Sequence, residues 1–260
     1  MAISMLTIQA IPAFDDNYIW LIEDPDTHRV LIVDPGDAAP VISALKQQHL
    51  TPVALLITHH HHDHIGGVGA LLDHYDMPVY GPKTESITGL THPLSANPAL
   101  TVDKAFPTIT VLDIPGHTVG HIAFLIGDNL FCGDTLFGAG CGRLLGGTAE
   151  QLFQSLQQIA NLPIYTKIFC AHEYTEKNLR FAATVEPDNI AIQQRIKTTA
   201  SCRQQNLPSL PSDLALELAT NPFLRCAQNT VIQSAQKFTG QILPTPVDVF
   251  TALRSWKDQF

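Results

Sequence analysis

The sequence is poor in charge, and the charge that it has is mostly negative. Only 15% of its 260 residues are charged, with 15 Lys and Arg against 24 Asp and Glu, for a formal net charge of −9 with histidine neutral. The basic residues form no cluster along the chain. Because phosphate recognition needs a concentrated basic face, the composition argues against a nucleic-acid partner.

Long hydrophobic runs are also missing. Although 45% of the residues are hydrophobic, no stretch approaches the roughly 18 uninterrupted apolar residues of a membrane span. The opening segment "MAISMLTIQAIPAF" has neither the basic start nor the cleavage pattern of a signal peptide, and it predicts a first strand. We therefore expect a chain with a substantial buried core, no membrane partner and a cytoplasmic location.

Cysteine is scarce and irregularly spaced. The five cysteines are odd in number and form no CxxC motif, which argues against a disulfide framework and against a thiolate zinc site. They predict small buried residues in a reducing compartment. Their positions are Cys132, Cys141, Cys170, Cys202 and Cys226.

Histidine is abundant by contrast, with 12 residues placed unevenly. Four of them are consecutive in "LLITHHHHDHIGG" (residues 55–67), where an apolar segment runs directly into the histidines. The run lies in the middle of the chain, so it is not an expression tag. It is either a metal site or an unusual loop.

The pattern of apolar runs predicts an α/β body followed by a helical segment. Short Val-, Ile- and Phe-rich runs such as "YIWLIE" and "RVLIV" alternate with turns, and two helices, "AAPVISALKQQH" and "TAEQLFQSLQQIANL", lie between them, the second with Thr148 as N-cap. After about residue 173 the segments are mostly helical and are separated by proline-containing connectors. Strands mixed with helices in this way indicate sheets covered by helices.

Four potential metal ligands each follow a predicted strand. His59 follows "VALLIT", His117 follows "TVLDIPG", Asp134 follows "LFCG" and His172 follows "KIFCA". A single histidine in such a place is usually structural. Four in the same topological position predict a site, because loops gather at the carboxyl ends of strands in α/β sheets.

The histidine run itself has a spacing that suits two metals. In an extended loop alternate residues point the same way, so His59 and His61 can converge on one ion. Asp63 and His64 then project differently as the chain turns into a helix, with Gly66 and Gly67 allowing a tight backbone passage. Imidazole and carboxylate donors without thiolate suit Zn²⁺, Fe or Mn²⁺, and Asp134 with its two oxygens is a natural bridge between two ions.

At this point the residues resemble a known family. "THHHHDH" (residues 58–64) fits the THxHxDH signature of the metallo-β-lactamase superfamily, and "PGHTVGH", "FCGDTLF" and "AHEYT" follow in that superfamily's order. More narrowly, "GCGR", "NPFLR" and "LRSWKDQF" are similar to glyoxalase II, the hydroxyacylglutathione hydrolases. The resemblance covers essentially the whole chain.

The resemblance implies an αββα metallo-β-lactamase sandwich with a smaller, mostly helical C-terminal domain. It implies a metal-binding catalytic domain over residues 1–172 and a glutathione-binding domain over residues 173–260.

One metal would be held by His59, His61 and His117, the other by Asp63, His64 and His172, with Asp134 bridging. Asp63 and Asp134 would be catalytic. The residues implied around glutathione are Arg143, Tyr174, Arg254 and Lys257. The histidines left outside this set are expected to be structural, with His121 a candidate neighbour of a ligand; they are His60, His62, His74 and His121.

The implied reaction is hydrolysis of S-(2-hydroxyacyl)glutathione, typically S-D-lactoylglutathione, to a 2-hydroxy acid (D-lactate) and glutathione, the second step of methylglyoxal detoxification. A hydroxide between the two metals would attack the thioester, with Asp63 orienting it. Part of the substrate site has support from the sequence itself, because Thr245-Pro246 is a good helix start that places Arg254 and Lys257 on one face. The alternative is a solvated helix C-terminus with two cations.

The chain departs from the family pattern beside the presumed pocket. Gly146 stands where an acidic residue is expected, Leu144 or Leu145 where an aromatic residue is common, and Arg143 where some members have lysine. These differences concern glutathione contacts and leave the metal ligands unchanged.

Other functions within the same fold fit less well. A persulfide dioxygenase uses one iron and typically lacks the long helical C-terminal segment, a zinc β-lactamase usually has a cysteine where Asp134 stands, and a nuclease would show more basic surface. A lactonase is opposed only by the C-terminal cations. A non-enzymatic metal-binding protein would have closed coordination shells, whereas catalysis needs an exchangeable position. We expect a monomer, since no heptad or long apolar stripe is present.

Overall fold

The chain forms two compact units that interleave along the sequence. The computed structural model describes residues 6–95 and 99–260. The first unit runs to Asp113 and also includes Gly120–Gly133, and the second comprises Ile114–Val119 and Asp134–Phe260. The functional boundary between residues 172 and 173 stays a prediction.

The first unit contains a six-stranded mixed sheet whose strands follow one another in chain order. The strands are β1 (Thr7–Ala13), β2 (Asn17–Asp24), β3 (Arg29–Val33), β4 (Thr51–Leu56), β5 (Val79–Pro82) and β6 (His92–Leu94). Strands β1, β2 and β3 pair antiparallel, and β3 to β6 pair parallel. The carboxyl ends of β3 and β4 therefore lie at the same edge of the sheet.

A set of antiparallel strands completes the β structure of the first unit. These strands are β7 (Ala99–Leu100), β8 (Ile109–Asp113), β9 (Ile122–Ile126) and β10 (Asn129–Gly133). Their order is β10, β9, β8, β7. Strands β9 and β10 form a hairpin, with Gly127 at φ +58° in its turn.

In the described part of the first unit, three helices connect the strands. They are α1 (Ala38–Gln47), α2 (His62–Ile65) and α3 (Val68–Leu72). Asp37 caps α1 by accepting a hydrogen bond from the Ala39 amide. The apolar face of α1, with Val41 and Leu45, packs into a core with strand residues such as Ile32 and Leu55. This core supports the end of β4, where the histidine run begins.

The second unit is mostly helical. Its strands are β11 (Leu136–Phe137), β12 (Gly140–Cys141), β13 (Lys167–Cys170) and β14 (Ser212–Asp213). Its helices are α4 (Ala149–Ala160), α5 (Thr175–Val185), α6 (Ile190–Gln204), α7 (Leu214–Thr220), α8 (Asn229–Thr239) and α9 (Pro246–Gln259), with a 3₁₀ turn at Pro222–Leu224 before α8.

The two predicted helix starts are confirmed. Thr148 caps α4 in a reciprocal capping box with Gln151, and Thr245 caps α9 in one with Asp248, with Pro246 at the first helical position. Each box satisfies amide groups that a helix start otherwise leaves without a partner. Helix α8 was missing from the sequence-based prediction.

Within the described ranges, every helix is too short or too polar to cross a bilayer.

Candidate metal centre

The histidine run forms a compact turn after β4. His59 Nε2 and His61 Nδ1 lie 3.1 Å apart, and the rings of His59 and His64 have centroids 4.0 Å apart. A Cβ at Gly67 would stand 2.6 Å from the Pro35 carbonyl oxygen, so this close passage needs glycine, as predicted. Helix α2 begins at His62, so Asp63 and His64 lie on a helical turn, whereas His59 and His61 precede it.

Asp34 organises this turn from the end of the neighbouring parallel strand. Its Oδ1 accepts a hydrogen bond from the Thr58 amide (2.8 Å), and its Oδ2 accepts one from the Thr58 hydroxyl (2.7 Å). Oδ2 also lies 3.0 Å from Nδ1 of His64, in a pair that is almost completely buried. This contact directs Nε2 of His64 to any ligand that the residue binds. Sequence analysis missed Asp34, although its place directly after β3 is the same signal that identified the other residues.

Asp63 is held by a second residue that sequence analysis missed. The Asn17 side-chain amide donates to Asp63 Oδ2 at 2.9 Å, and the same oxygen lies 3.4 Å from Nε2 of His64. Asn17 begins β2, far from the histidine run in sequence. The contact restricts the rotation of the Asp63 carboxylate.

The predicted ligands of the second unit surround one carboxylate. Asp134 Oδ2 lies 3.5 Å from Nε2 of His117, and Oδ1 lies 3.3 Å from Nε2 of His172. His117 donates its other ring hydrogen, on Nδ1, to the Arg143 carbonyl at 2.8 Å. All three side chains are at least nine-tenths buried. The two oxygens of Asp134 thus face different imidazoles, which is the arrangement that a bridging carboxylate needs.

The donor chemistry of these residues fits divalent metals. All seven predicted ligands, five histidines and two aspartates, are among the residues that could hold a metal ion. Imidazole nitrogens and carboxylate oxygens are donors for Zn²⁺, Fe or Mn²⁺. The orienting contacts on His64 and His117 leave Nε2 as the coordinating atom in both.

The histidines outside the ligand set lie in other environments. His121 stacks on His59 with ring centroids 4.6 Å apart and an angle of 20°, while His74 Nδ1 contacts the Ala70 carbonyl. His62 is exposed. His60 contacts Glu85.

Tyr174 lies against the ligand set of the second unit. Its ring stacks on His172, with centroids 4.7 Å apart and an angle of 9°. Phe137 packs edge-on against both rings. Lys177 Nζ lies 5.8 Å from the centre of the Tyr174 ring. Tyr174 is therefore ordered beside His172, where it was predicted to contact substrate.

The predicted cations differ in accessibility. Arg254 is buried and donates to the carbonyls of Cys141 (3.0 Å) and Gly142 (3.3 Å) as well as to Asp258. Arg143 is largely exposed, with Nε 3.8 Å from the same Asp258 carboxylate. Lys257 lies between them in accessibility, one turn along α9 from Arg254.

The thiol of Cys141 lies beside Arg254 but is not activated. Four of the five cysteines are buried, and Cys202 is partly exposed. Burial raises the pKa of Cys141 to about 11, although the nearby Arg254 guanidinium acts in the opposite direction. A thiol with such a pKa is a poor nucleophile at neutral pH.

Known proteins are similar to this chain over nearly its whole length. Residues 13–172 match the family model of the metallo-beta-lactamase superfamily, and residues 173–260 match the model of the hydroxyacylglutathione hydrolase C-terminus. The hydroxyacylglutathione hydrolase of Nitrosomonas europaea is 49% identical over 256 residues, covering 98% of this chain and 97% of that protein.

Solved structures show the same fold. The BLEG-1 B3 metallo-beta-lactamase has a TM-score of 0.62 and 26% identity, over 85% of this chain and 99% of that chain. TTHA1623, solved in a di-iron-bound form, has a TM-score of 0.59 and 25% identity, over 84% of this chain and all of that chain (100%). The protein thus has the metallo-β-lactamase fold with candidate His and Asp metal ligands. Within that superfamily, the chain belongs to the hydroxyacylglutathione hydrolase family.

Proposed function

We propose that the protein hydrolyses S-(2-hydroxyacyl)glutathione, with S-D-lactoylglutathione as the typical substrate, to D-lactate and glutathione in the detoxification of methylglyoxal. The observation that carries this proposal is the similarity to a hydroxyacylglutathione hydrolase across 98% of the chain, including the helical C-terminal segment. Residues 173–260 match the family model of the hydroxyacylglutathione hydrolase C-terminus, whereas residues 13–172 match only the model of the superfamily as a whole, so the C-terminal segment favours this substrate over persulfides, lactams and lactones.

The proposed metal site is binuclear, with the ligands that the sequence predicts. His59, His61 and His117 would hold one ion, Asp63, His64 and His172 the other, and Asp134 both. We propose Zn²⁺ as the metal, with Fe or Mn²⁺ compatible with the same donors. When bound, such ions lower the pKa of a coordinated water and polarise the carbonyl that it attacks.

The residues of the chain orient the reacting groups. Asn17 holds one Asp63 oxygen, so that the carboxylate keeps a single orientation in which it accepts a hydrogen bond from the attacking water. Asp34 holds His64, and the Arg143 carbonyl holds His117. The leaving group is a thiolate, which is stable enough to depart without a dedicated general acid.

The proposed substrate site lies in the helical part of the chain. Residues 1–172 would form the catalytic domain and residues 173–260 the glutathione-binding domain. Lys257 and the exposed Arg143 would bind a glutathione carboxylate, with Tyr174 also around the glutathione moiety. Arg254 adds positive charge and holds the carbonyls of residues 141 and 142, which directly precede Arg143. We propose that the protein acts in the cytoplasm as a monomer, without nucleic-acid or membrane partners.

The test is turnover of S-D-lactoylglutathione, followed by the loss of the thioester ultraviolet absorbance, together with a metal count. The variant Lys257→Ala should raise KM about tenfold or more, because a hydrogen bond to a charged group contributes about 1.5–3 kcal/mol. The matched control is Lys197→Ala, which changes an exposed lysine of α6 and should leave KM unchanged.

A fully metallated protein that does not turn over this thioester would overturn the proposal. Persulfides and lactones would then be the next substrates to assay.

A further inference from the structure

Glu85 joins two loops of the first unit through one carboxylate. Its Oε2 accepts a hydrogen bond from the His60 amide at 2.7 Å and lies 2.8 Å from the His60 ring at Nδ1. Its Oε1 accepts a hydrogen bond from the Gly120 amide at 3.0 Å. A Cβ at position 120 would stand 2.6 Å from Cγ of Glu85, so the approach needs glycine there.

The Glu85 side chain is only 4% exposed, whereas the His60 side chain is 45% exposed. A carboxylate removed from water to this degree is stable only with full compensation by hydrogen-bond donors. Two amides and one imidazole supply that compensation. The pair is therefore unlike a surface ion pair, which contributes little and tolerates rearrangement.

The position of His60 gives these contacts a consequence for the predicted metal ligands. His60 lies between His59 and His61 in the chain, so fixing both its amide and its ring fixes the backbone that carries both of them. Gly120 directly precedes His121, whose ring stacks on His59. Glu85 thus holds the backbone between His59 and His61. It also holds Gly120, the residue before His121, whose ring packs on His59.

We propose that Glu85 is a positioning residue that sets the metal affinity of the His59–His61 pair. The inference rests on the metal site of the proposed function. It also accounts for the histidine at position 60, which is not a predicted ligand, because its ring provides a further donor to Glu85. Glu85 acts through the backbone, whose amides at His60 and Gly120 it holds.

The test compares Glu85→Gln with Glu23→Gln in full-length protein. In Glu85→Gln, an NH₂ group replaces one carboxylate oxygen. That group cannot accept the hydrogen bond that the amide of His60 or of Gly120 donates to Glu85. Glu23→Gln changes another glutamate that contacts a histidine, since Glu23 Oε1 lies 2.8 Å from Nδ1 of His28 beside the β2–β3 turn. Zn²⁺ affinity is measured by competition with a chromophoric chelator, and thermal melting is recorded with and without metal.

We expect Glu85→Gln to weaken zinc binding about 10–100-fold, the usual effect of losing a group that orients ligands. The rise in Tm that zinc produces should shrink accordingly, and Glu23→Gln should match the wild type in both measurements. His60→Ala, which keeps the amide contact and loses the ring, should weaken zinc binding less than Glu85→Gln.

Equal zinc affinity in Glu85→Gln and the wild type would overturn the inference. A fall in Tm of the same size with and without metal would then mean that Glu85 has a purely structural role. A wild type that binds no zinc, iron or manganese would instead overturn the metal site of the proposed function. The two failures are therefore distinguishable.

Discussion

At the scale of single residues, Lys257 is a cation in an apolar setting. Its Nζ lies 5.2 Å from the centre of the Phe181 ring and 5.5 Å from that of Phe260, and it donates to the Lys177 carbonyl at 3.4 Å. Burial lowers the pKa of Lys257 to about 8, and the positive charge of Arg254 acts in the same direction. Lys257 therefore titrates in a range where the enzyme can be assayed.

This titration predicts a pH-dependent KM. Below a pH of about 8, Lys257 is charged and can bind a carboxylate, and as the pH rises through that value the charge is lost. We expect KM for the glutathione thioester to rise about tenfold or more, because a hydrogen bond to a charged group contributes about 1.5–3 kcal/mol. The measurement is KM from neutral to alkaline pH, and Lys257→Arg should delay the rise because guanidinium stays charged.

The Cys141 thiol does not interfere with this profile, because burial raises its pKa to about 11. An identical rise in KM for the wild type and Lys257→Arg would assign the titration to a different group.

The residues that orient the ligands were harder to predict than the ligands. A metal ligand is recognisable from its type and its place after a strand. Asp34, Asn17 and Glu85 act through hydrogen bonds to Thr58, Asp63 and His60, which lie 24, 46 and 25 residues away. Asp34 has the signal of its place after a strand, but one sequence contains nothing that pairs Asn17 with Asp63 or Glu85 with His60.

At the scale of secondary-structure elements, a buried polar cluster joins α7 to the β11–β12 hairpin. Glu217 accepts hydrogen bonds from the Ala139 amide (2.9 Å), the Asn221 side chain (3.1 Å), Ser212 (2.6 Å) and Arg195 (2.6 Å). Glu217 is fully buried and Arg195 nearly so. Ala139 has φ +53°, which is unfavourable for alanine, and the hydrogen bond from its amide helps to stabilise it.

Removing the Glu217 carboxylate should strongly lower the free energy of unfolding. Glu217→Ala leaves Arg195 buried without its anionic partner, and such a loss costs about 3–5 kcal/mol. The measurement is urea denaturation of the metal-free protein, and the control is Glu176→Ala on the exposed surface of α5, which should change stability by less than about 0.5 kcal/mol.

The double variant Arg195→Leu/Glu217→Leu should regain part of the lost stability, because it removes the uncompensated charge. If Glu217→Ala lost no more stability than the control, the cluster would not stabilise the fold as expected.

Elements with a capping residue or clear apolar spacing were predictable, whereas α8, whose start has no side-chain cap, and the two-residue strands were not. Capping residues and apolar spacing identified α1, α4 and α9. The two-residue strands β11, β12 and β14 have no periodicity to detect, because they exist through pairing with partners distant in the chain or across a tight turn.

At the scale of the whole molecule, the predicted ligands come from both compact units. Four lie in the histidine run of the first unit, and three, His117, Asp134 and His172, belong to the second. The net charge of −9 is no obstacle to an anionic substrate, since bulk charge is screened over about 10 Å at 0.1 M salt and bound divalent cations dominate locally.

Metal removal separates an enzyme from a metal-stabilised binding protein. Since each unit has its own packed elements, we expect a chelator to abolish thioester hydrolysis while the far-ultraviolet circular dichroism is retained, with activity restored by added Zn²⁺. Activity, metal content and dichroism are measured on the same sample. Global unfolding on chelation would favour the binding-protein interpretation.

The sequence by itself determined the superfamily, the candidate ligands and the longer helices and strands, because each depends on residue type and local spacing. Tertiary structure decided which groups orient those ligands, how far Arg254 is buried, and the environment that lowers the pKa of Lys257. The physical reason is that burial and hydrogen bonding depend on what surrounds a group in space. For Asp34, Glu85 and Lys257, those surroundings come from segments that are distant in the chain.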